Sequence, residues 1–326
     1  MSSVFISRRI FAEALAAFAP AGISYTMHDS DRPLSKSDLI HSMKEAGGLI
    51  CLLNDKIDKE VIESSPALKV ISNLGVGYNN IDVEAATKHG IVVTNTPGVL
   101  TETTADLAFA LMISVARRIT EADKSVRQGR FDEWRLIQHH SGTDLYGKTL
   151  GIIGMGRIGM AVARRGNRGF AMNILYYSNH PSRQADEELG AHQVSLDELL
   201  AKSDFVSIHV PLNDSTRHML GAAEFARMKK EAYLINTSRG PVIDEEALAT
   251  ALLSGTINGA GLDVYEHEPA INPGLLKIEQ NLVLTPHIGS ATLATRTNMA
   301  HMAVNNMITA LKGQRPPNAV NSVILR

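Results

Sequence analysis

The stretch Gly147-Lys-Thr-Leu-Gly-Ile-Ile-Gly-Met-Gly-Arg-Ile-Gly159 sets an apolar run, Thr149 to Ile153, directly before glycines 154, 156 and 159 and a helical segment from Met160 to Arg165. Glycines spaced G-x-G-x-x-G between a strand and a helix form a dinucleotide fingerprint. Gly154 allows the tight turn, Gly156 removes a side chain where a pyrophosphate must approach, and Gly159 lets the helix pack on the strand. The amides of Arg157, Ile158 and Gly159 open the helix and are predicted to face the phosphates.

Similar apolar runs recur on both sides of this motif: Gly48 to Leu53, Leu68 to Leu74, Ile91 to Thr94, Asn173 to Tyr177, Phe205 to His209, Tyr233 to Asn236, Gly259 to Asp263 and Leu282 to Thr285. Helical stretches separate them. Strands alternating with helices predict an α/β chain with parallel sheets, and runs apolar throughout predict helices on both faces. Thr101 to Arg118 and Ala291 to Leu311 read as helices joining two halves. The expected architecture is two Rossmann-like, doubly wound parallel-sheet domains with a cleft between them. Residues 1–100 plus 290–326 make a discontinuous substrate-binding domain, and 101–289 the NAD(P)-binding one.

At 326 residues, 44% of them hydrophobic, the chain has material for two cores. A formal charge of −2 gives no global attraction to nucleic acid or to an anionic membrane, so neither is an expected partner. Cys51 is the only cysteine, which excludes an intrachain disulfide and a cysteine zinc cage. No metal is expected. Met1 to Ala21 lacks the uninterrupted apolar stretch of a secretory signal, and no segment has the roughly 20 apolar residues of a membrane span. A cytoplasmic location is the expectation.

The strand Asn173 to Tyr177 ends in Ser178-Asn-His-Pro-Ser-Arg183. An NAD-specific site carries an acid there for the ribose hydroxyls. Here Ser178 and Asn179 can bond a 2′-phosphate, with positive charge from Arg183 and from His180 when protonated. NADP is therefore the expected preference, with NAD possible. Three further strand ends carry Arg239, then Asp263 and Glu268, then His287. Reducing a 2-keto acid requires an anchor for the carboxylate, hydride at the carbonyl carbon and a proton for the oxygen. Arginine's planar fork suits the anchor. Histidine can serve as acid in reduction and base in oxidation. A carboxylate such as Glu268 would hold the imidazole in one tautomer.

The chain resembles the D-isomer-specific 2-hydroxyacid dehydrogenase family from about Gly48 to Asn318. Four markers carry the resemblance: the fingerprint above, Leu234-Ile-Asn-Thr-Ser-Arg-Gly-Pro241, Gly261-Leu-Asp-Val-Tyr-Glu-His-Glu-Pro269 and Leu284-Thr-Pro-His-Ile-Gly-Ser290. It implies that Arg239, Glu268 and His287 are the catalytic residues and that Asp263 contacts the nicotinamide end of the cofactor. It also implies that the amides of Val76 and Gly77 hold the substrate carboxylate with Arg239 and His287, and that Thr104 lies near the nicotinamide. His209, Val210, Pro211 and Thr216 match the loop beside the adenosine, and Thr237, Ser238 and Gly289 complete the implied cofactor contacts. Members are usually homodimers associating through their cofactor domains. Trp134 lies where related enzymes can reach a neighbouring active site; an interface or packing aromatic is the other reading.

Within that family, Leu52 to Asp58 and Pro97 to Asp106 are most similar to glyoxylate/hydroxypyruvate reductases and 2-ketogluconate reductases. The implied reaction is reduction of glyoxylate, hydroxypyruvate or a similar 2-keto acid to the D-2-hydroxy acid, and its reverse. An NAD-dependent D-lactate or phosphoglycerate dehydrogenase is the alternative enzyme. The loops after Leu53 and Leu74 carry Lys56 but no Arg, which favours a substrate with an uncharged tail. A dinucleotide-sensing corepressor is the alternative binding protein.

Overall fold

The computed structural model describes residues 3–137 and 139–323. The chain divides into two units, Met1–Leu100 with Ala291–Arg326, and Thr101–Ser290.

The first unit holds a parallel sheet of five strands, β1 (Ser3–Ile6), β2 (Ser24–Met27), β3 (Gly48–Leu52), β4 (Val70–Leu74) and β5 (Val92–Thr94), in the order β2-β1-β3-β4-β5. Both faces are covered. Val4, Ile6, Ile50 and Val70 pack with Met307 and Val304 of the helix Leu293–Leu311, whereas Phe5, Leu49, Cys51 and Ile71 pack on the opposite face with Met43, Val61 and Ala86. This alternation along each strand explains why the runs are apolar throughout. The order reverses between β1 and β3, the kind of crevice where open α/β sheets bind ligands. Here a buried ion pair fills it: Arg8 Nη2 donates to Asp55 Oδ1 at 2.6 Å, and Asp55 also accepts from Ser7 Oγ and the Leu52 amide.

The second unit holds a parallel sheet of seven strands, β6 (Thr149–Ile153), β7 (Asn173–Tyr177), β8 (His192–Gln193), β9 (Phe205–Ile208), β10 (Tyr233–Asn236), β11 (Gly259–Leu262) and β12 (Leu282–Leu284), in the order β12-β11-β10-β9-β6-β7-β8. Leu150 and Ile152 face a core built on the helix Thr101–Ala116, while Ile153, Val206 and Leu234 face a second core with Leu199 and Leu248. The order reverses between β6 and β9. The loops that leave these two strands, at Gly154 and His209, therefore flank the crevice a ligand would enter.

Three strands go beyond those expected from the sequence: β1, β2 and β8. β8 has two residues, and β2 is an edge strand whose side chains are exposed or half-buried, so neither presents an apolar run. Among the described residues no helix is long and apolar enough to cross a membrane.

Candidate active site

Gly154 has φ +99°, and a β-carbon there would stand 2.8 Å from the backbone carbonyl of His209. Only glycine lets the β6 and β9 loops approach so closely. A β-carbon on Gly159 would lie 2.2 Å from the Gly154 carbonyl oxygen, so the helix Arg157–Phe170 is pressed against its strand. Gly156 has open space where a side chain would be. The ladder of that helix starts with Met160 N–H donating to Gly156 O at 2.9 Å, so the amides of Arg157, Ile158 and Gly159 precede it. Its first turn carries no acidic side chain. A positive helix terminus, free amides and an open cradle suit a pyrophosphate.

Beyond β7, Ser178 is half-buried and Asn179 exposed. Arg183 is exposed and its Nε donates to Glu187 at 2.6 Å, an exposed pair of little energetic weight. Tyr176 Oη accepts from the Ser182 amide and donates to Asp186, which ties this turn to the strand. His209 is half-buried; its ring bonds Ser207 Oγ at 2.8 Å, and burial pushes its pKa down to about 3. Thr216 Oγ1 donates to Pro211 O at 2.6 Å and accepts from the Asn213 amide, closing the loop that carries Val210.

His287 and Glu268 meet: His287 Nδ1 lies 2.7 Å from Glu268 Oε2, while Glu268 Oε1 accepts from the Tyr265 amide at 3.0 Å. Burial alone would raise the Glu268 carboxyl. The His287 bond and charge, the Tyr265 amide and the Arg239 guanidinium together hold it below its ordinary value. His287 has φ +53°, a left-handed conformation uncommon outside glycine, though histidine adopts it more readily than most residues. A neighbouring carboxylate secures it. Asp263, 1% exposed, accepts from Thr285 Oγ1 at 2.6 Å and from the amides of Ile288 and Gly289 at 2.8 Å each. Burial pushes the Asp263 carboxyl up against these bonds. A β-carbon on Gly289 would lie 3.2 Å from Asp263 Oδ2 and 3.5 Å from Thr104, so Thr104, Asp263 and Gly289 are brought together.

Arg239 is half-buried, and burial holds its guanidinium below the ordinary arginine value, against the opposing pull of Glu268. Its turn is shaped by Asn236, which the sequence motif does not single out. Asn236 Oδ1 accepts from both the amide and hydroxyl of Ser238, and its Nδ2 donates to Arg239 O at 3.0 Å. Thr237 beside it is buried. Gly240 is equally hidden in the sequence. A β-carbon there would stand 1.9 Å from the Tyr265 carbonyl carbon, so its absence lets the Arg239 and Tyr265–Glu268 segments touch. Tyr265 Oη donates to Thr285 O at 2.9 Å and links the Glu268 segment to the His287 segment.

Val76 and Gly77 belong to the first unit, in the loop after β4, and both are half-buried. Trp134 is 72% exposed in the second unit, near exposed Phe131, Leu136 and Ile137 in the sequence. Among the described residues no group of three or more His, Cys, Asp or Glu side chains could hold a metal ion.

Residues 109–289 match the family model described as D-isomer specific 2-hydroxyacid dehydrogenase, NAD binding domain. A glyoxylate reductase of Korarchaeum cryptofilum is 49% identical over 99% of this chain and 97% of its own length. One from Thermococcus litoralis is 52% identical over 88% of this chain and 87% of its own. Among solved structures, an NADPH-dependent glyoxylate/hydroxypyruvate reductase from Sinorhizobium meliloti, in complex with NADP and malonate, superposes with a TM-score of 0.88 at 32% identity. That match covers all of this chain and 98% of the other.

Proposed function

The chain belongs to the D-isomer specific 2-hydroxyacid dehydrogenase family and is an oxidoreductase of small 2-keto acids that binds a nicotinamide dinucleotide; from that premise we propose that it reduces glyoxylate or hydroxypyruvate, with NADPH preferred. The observation that carries the chemistry is the 2.7 Å bond between His287 and Glu268.

In this reading the cofactor supplies a hydride to the carbonyl carbon. The amides of Arg157, Ile158 and Gly159 would hold its pyrophosphate, and Val210, Pro211 and Thr216 would lie beside its adenosine. Thr104 and Asp263 would face the nicotinamide end, with Thr237, Ser238 and Gly289 as further cofactor contacts. Ser178, Asn179 and Arg183 receive the 2′-phosphate in place of the acid that would select NAD. Arg239 would anchor the substrate carboxylate through its planar fork, and the loop of Val76 and Gly77 in the first unit would bind a carboxylate through its amides. His287, its Nδ1 edge facing Glu268, gives its Nε2 proton to the carbonyl oxygen as negative charge develops there. Glu268 keeps the imidazole in one tautomer throughout. Glyoxylate yields achiral glycolate, whereas hydroxypyruvate yields D-glycerate.

Exposed Phe131, Trp134, Leu136 and Ile137 support assembly as a homodimer through the cofactor-binding unit, because such side chains gain by leaving water. Sedimentation should then give twice the chain mass.

The test of the reaction is steady-state turnover of glyoxylate, hydroxypyruvate, pyruvate and 2-ketogluconate with both cofactors. The highest kcat/KM is expected for one of the first two. A clear preference for pyruvate would overturn the substrate assignment.

A further inference from the structure

The carbonyls of Gly75, Val76 and Gly77 each have a donor from the interior of the first unit. Gly75 O accepts from the Thr96 amide at 3.0 Å, Val76 O from Asn95 Nδ2 at 2.8 Å and Gly77 O from Asn73 Nδ2 at 2.8 Å. Asn73, Asn95 and Thr96 are all buried. A trans peptide sets its N–H opposite its C=O, and the only cis bond among the described residues is Glu268–Pro269. With three successive carbonyls turned to the interior, the following amides, those of Val76, Gly77 and Tyr78, are turned the other way. Among the described residues no acceptor takes these three N–H groups. Successive amides exposed in this manner form a concavity for an anion.

The asparagines are themselves held. Asn306 Nδ2, on the helix Leu293–Leu311, donates to Asn95 O at 3.1 Å, and Asn306 Oδ1 accepts from Asn318 Nδ2 at 3.2 Å. Asn80 Nδ2 donates to Asn73 Oδ1 at 3.4 Å, and also to the carbonyls of Leu52 and Asp55. Asparagine is the residue type this task needs, because it offers a donor to one group and an acceptor to another without a charge that would be costly to bury.

We propose that Asn73 and Asn95 are positioning residues for substrate binding: by holding the Val76 and Gly77 carbonyls inward they present the amides of Val76, Gly77 and Tyr78 to the carboxylate of the keto acid. This rests on the reading above that the loop binds a carboxylate. Neither asparagine touches substrate, so each acts on affinity for the acid and leaves the cofactor untouched.

The experiment compares Asn95→Leu and Asn95→Ala with the wild-type chain, and repeats the pair at Asn73. Leu keeps the approximate size and branching of Asn and removes its hydrogen-bonding groups without adding a charge. The KM for the keto acid and the inhibition constant of oxalate, a carboxylate that cannot turn over, should both rise by about five- to tenfold in each variant, as expected for one lost hydrogen bond. The Kd for NADPH, read by nucleotide fluorescence, should stay within about twofold, and kcat should change less than KM. Unchanged KM and oxalate inhibition in both variants would overturn the proposal. So would an effect confined to Ala, which would assign the asparagine a packing role. Should an Asn95 variant fail to fold, Asn306→Ala probes the same chain one step back and must move KM in the same direction. A wild-type protein that turns over no 2-keto acid would instead overturn the function from which the proposal starts.

Discussion

His287 Nδ1 and Glu268 Oε2 stand 2.7 Å apart, although they lie nineteen positions apart in the chain. The contact fixes both partners at once. Glu268 is oriented at its second oxygen by the Tyr265 amide, and the imidazole presents its other nitrogen for proton transfer. A carboxylate that accepts from two sides and stays ionised despite burial is suited to stabilise an imidazolium.

Removing either member should therefore affect the chemical step. His287→Gln is expected to lower kcat by about 10²- to 10⁴-fold, the usual range for a general acid, and Glu268→Gln by about 10²-fold. Cofactor affinity, read by fluorescence titration, should not follow. Wild-type turnover in His287→Gln would remove the proton-donor assignment.

Arg239→Lys keeps the charge but loses the planar fork. A drop in kcat/KM of about 10²-fold is expected, with KM carrying much of it, since a point charge cannot engage a carboxylate at two atoms. The comparison is made by steady-state kinetics at saturating cofactor.

The β7 loop should govern cofactor choice. With Ser178 in place of an acid, kcat/KM for NADPH should exceed that for NADH, and Ser178→Asp should reverse the order by repelling a 2′-phosphate and bonding the free ribose. If the wild type already prefers NADH, the loop is a solvated turn with no such role.

Acid should act on the protein through His209. Its folded value of about 3 lies below the ordinary histidine value, so the folded state refuses a proton that the unfolded chain accepts. Its stabilising contribution is present in full above about pH 6.5 and is lost as pH falls toward the folded value. Melting temperature should decline over that window, and His209→Gln should flatten the decline.

The fingerprint and the strand ends were legible because each is a local pattern: apolar runs separated by glycine turns, with Arg239, Glu268 and His287 at the ends of β10, β11 and β12. What holds these residues was not. Asn236, Gly240 and Tyr265 act through contacts between segments that meet only in the folded chain, and one asparagine, glycine or tyrosine in a motif carries no mark of such contacts. The same holds for Asn73 and Asn95, whose partners are carbonyl groups that every residue possesses. Strand β8 escaped detection because two residues, both exposed, have no periodicity to read.

The Asp263 carboxylate gathers Thr285, Ile288 and Gly289 onto one buried anchor while His287 sits between them with φ +53°. Full opening of the loop therefore costs all three bonds, which converge on one carboxylate. The amides of Ile288 and Gly289 should consequently exchange with deuterated solvent slowly and in concert, and Asp263→Asn should accelerate both, giving a reporter on the proton donor's mobility that needs neither substrate nor turnover.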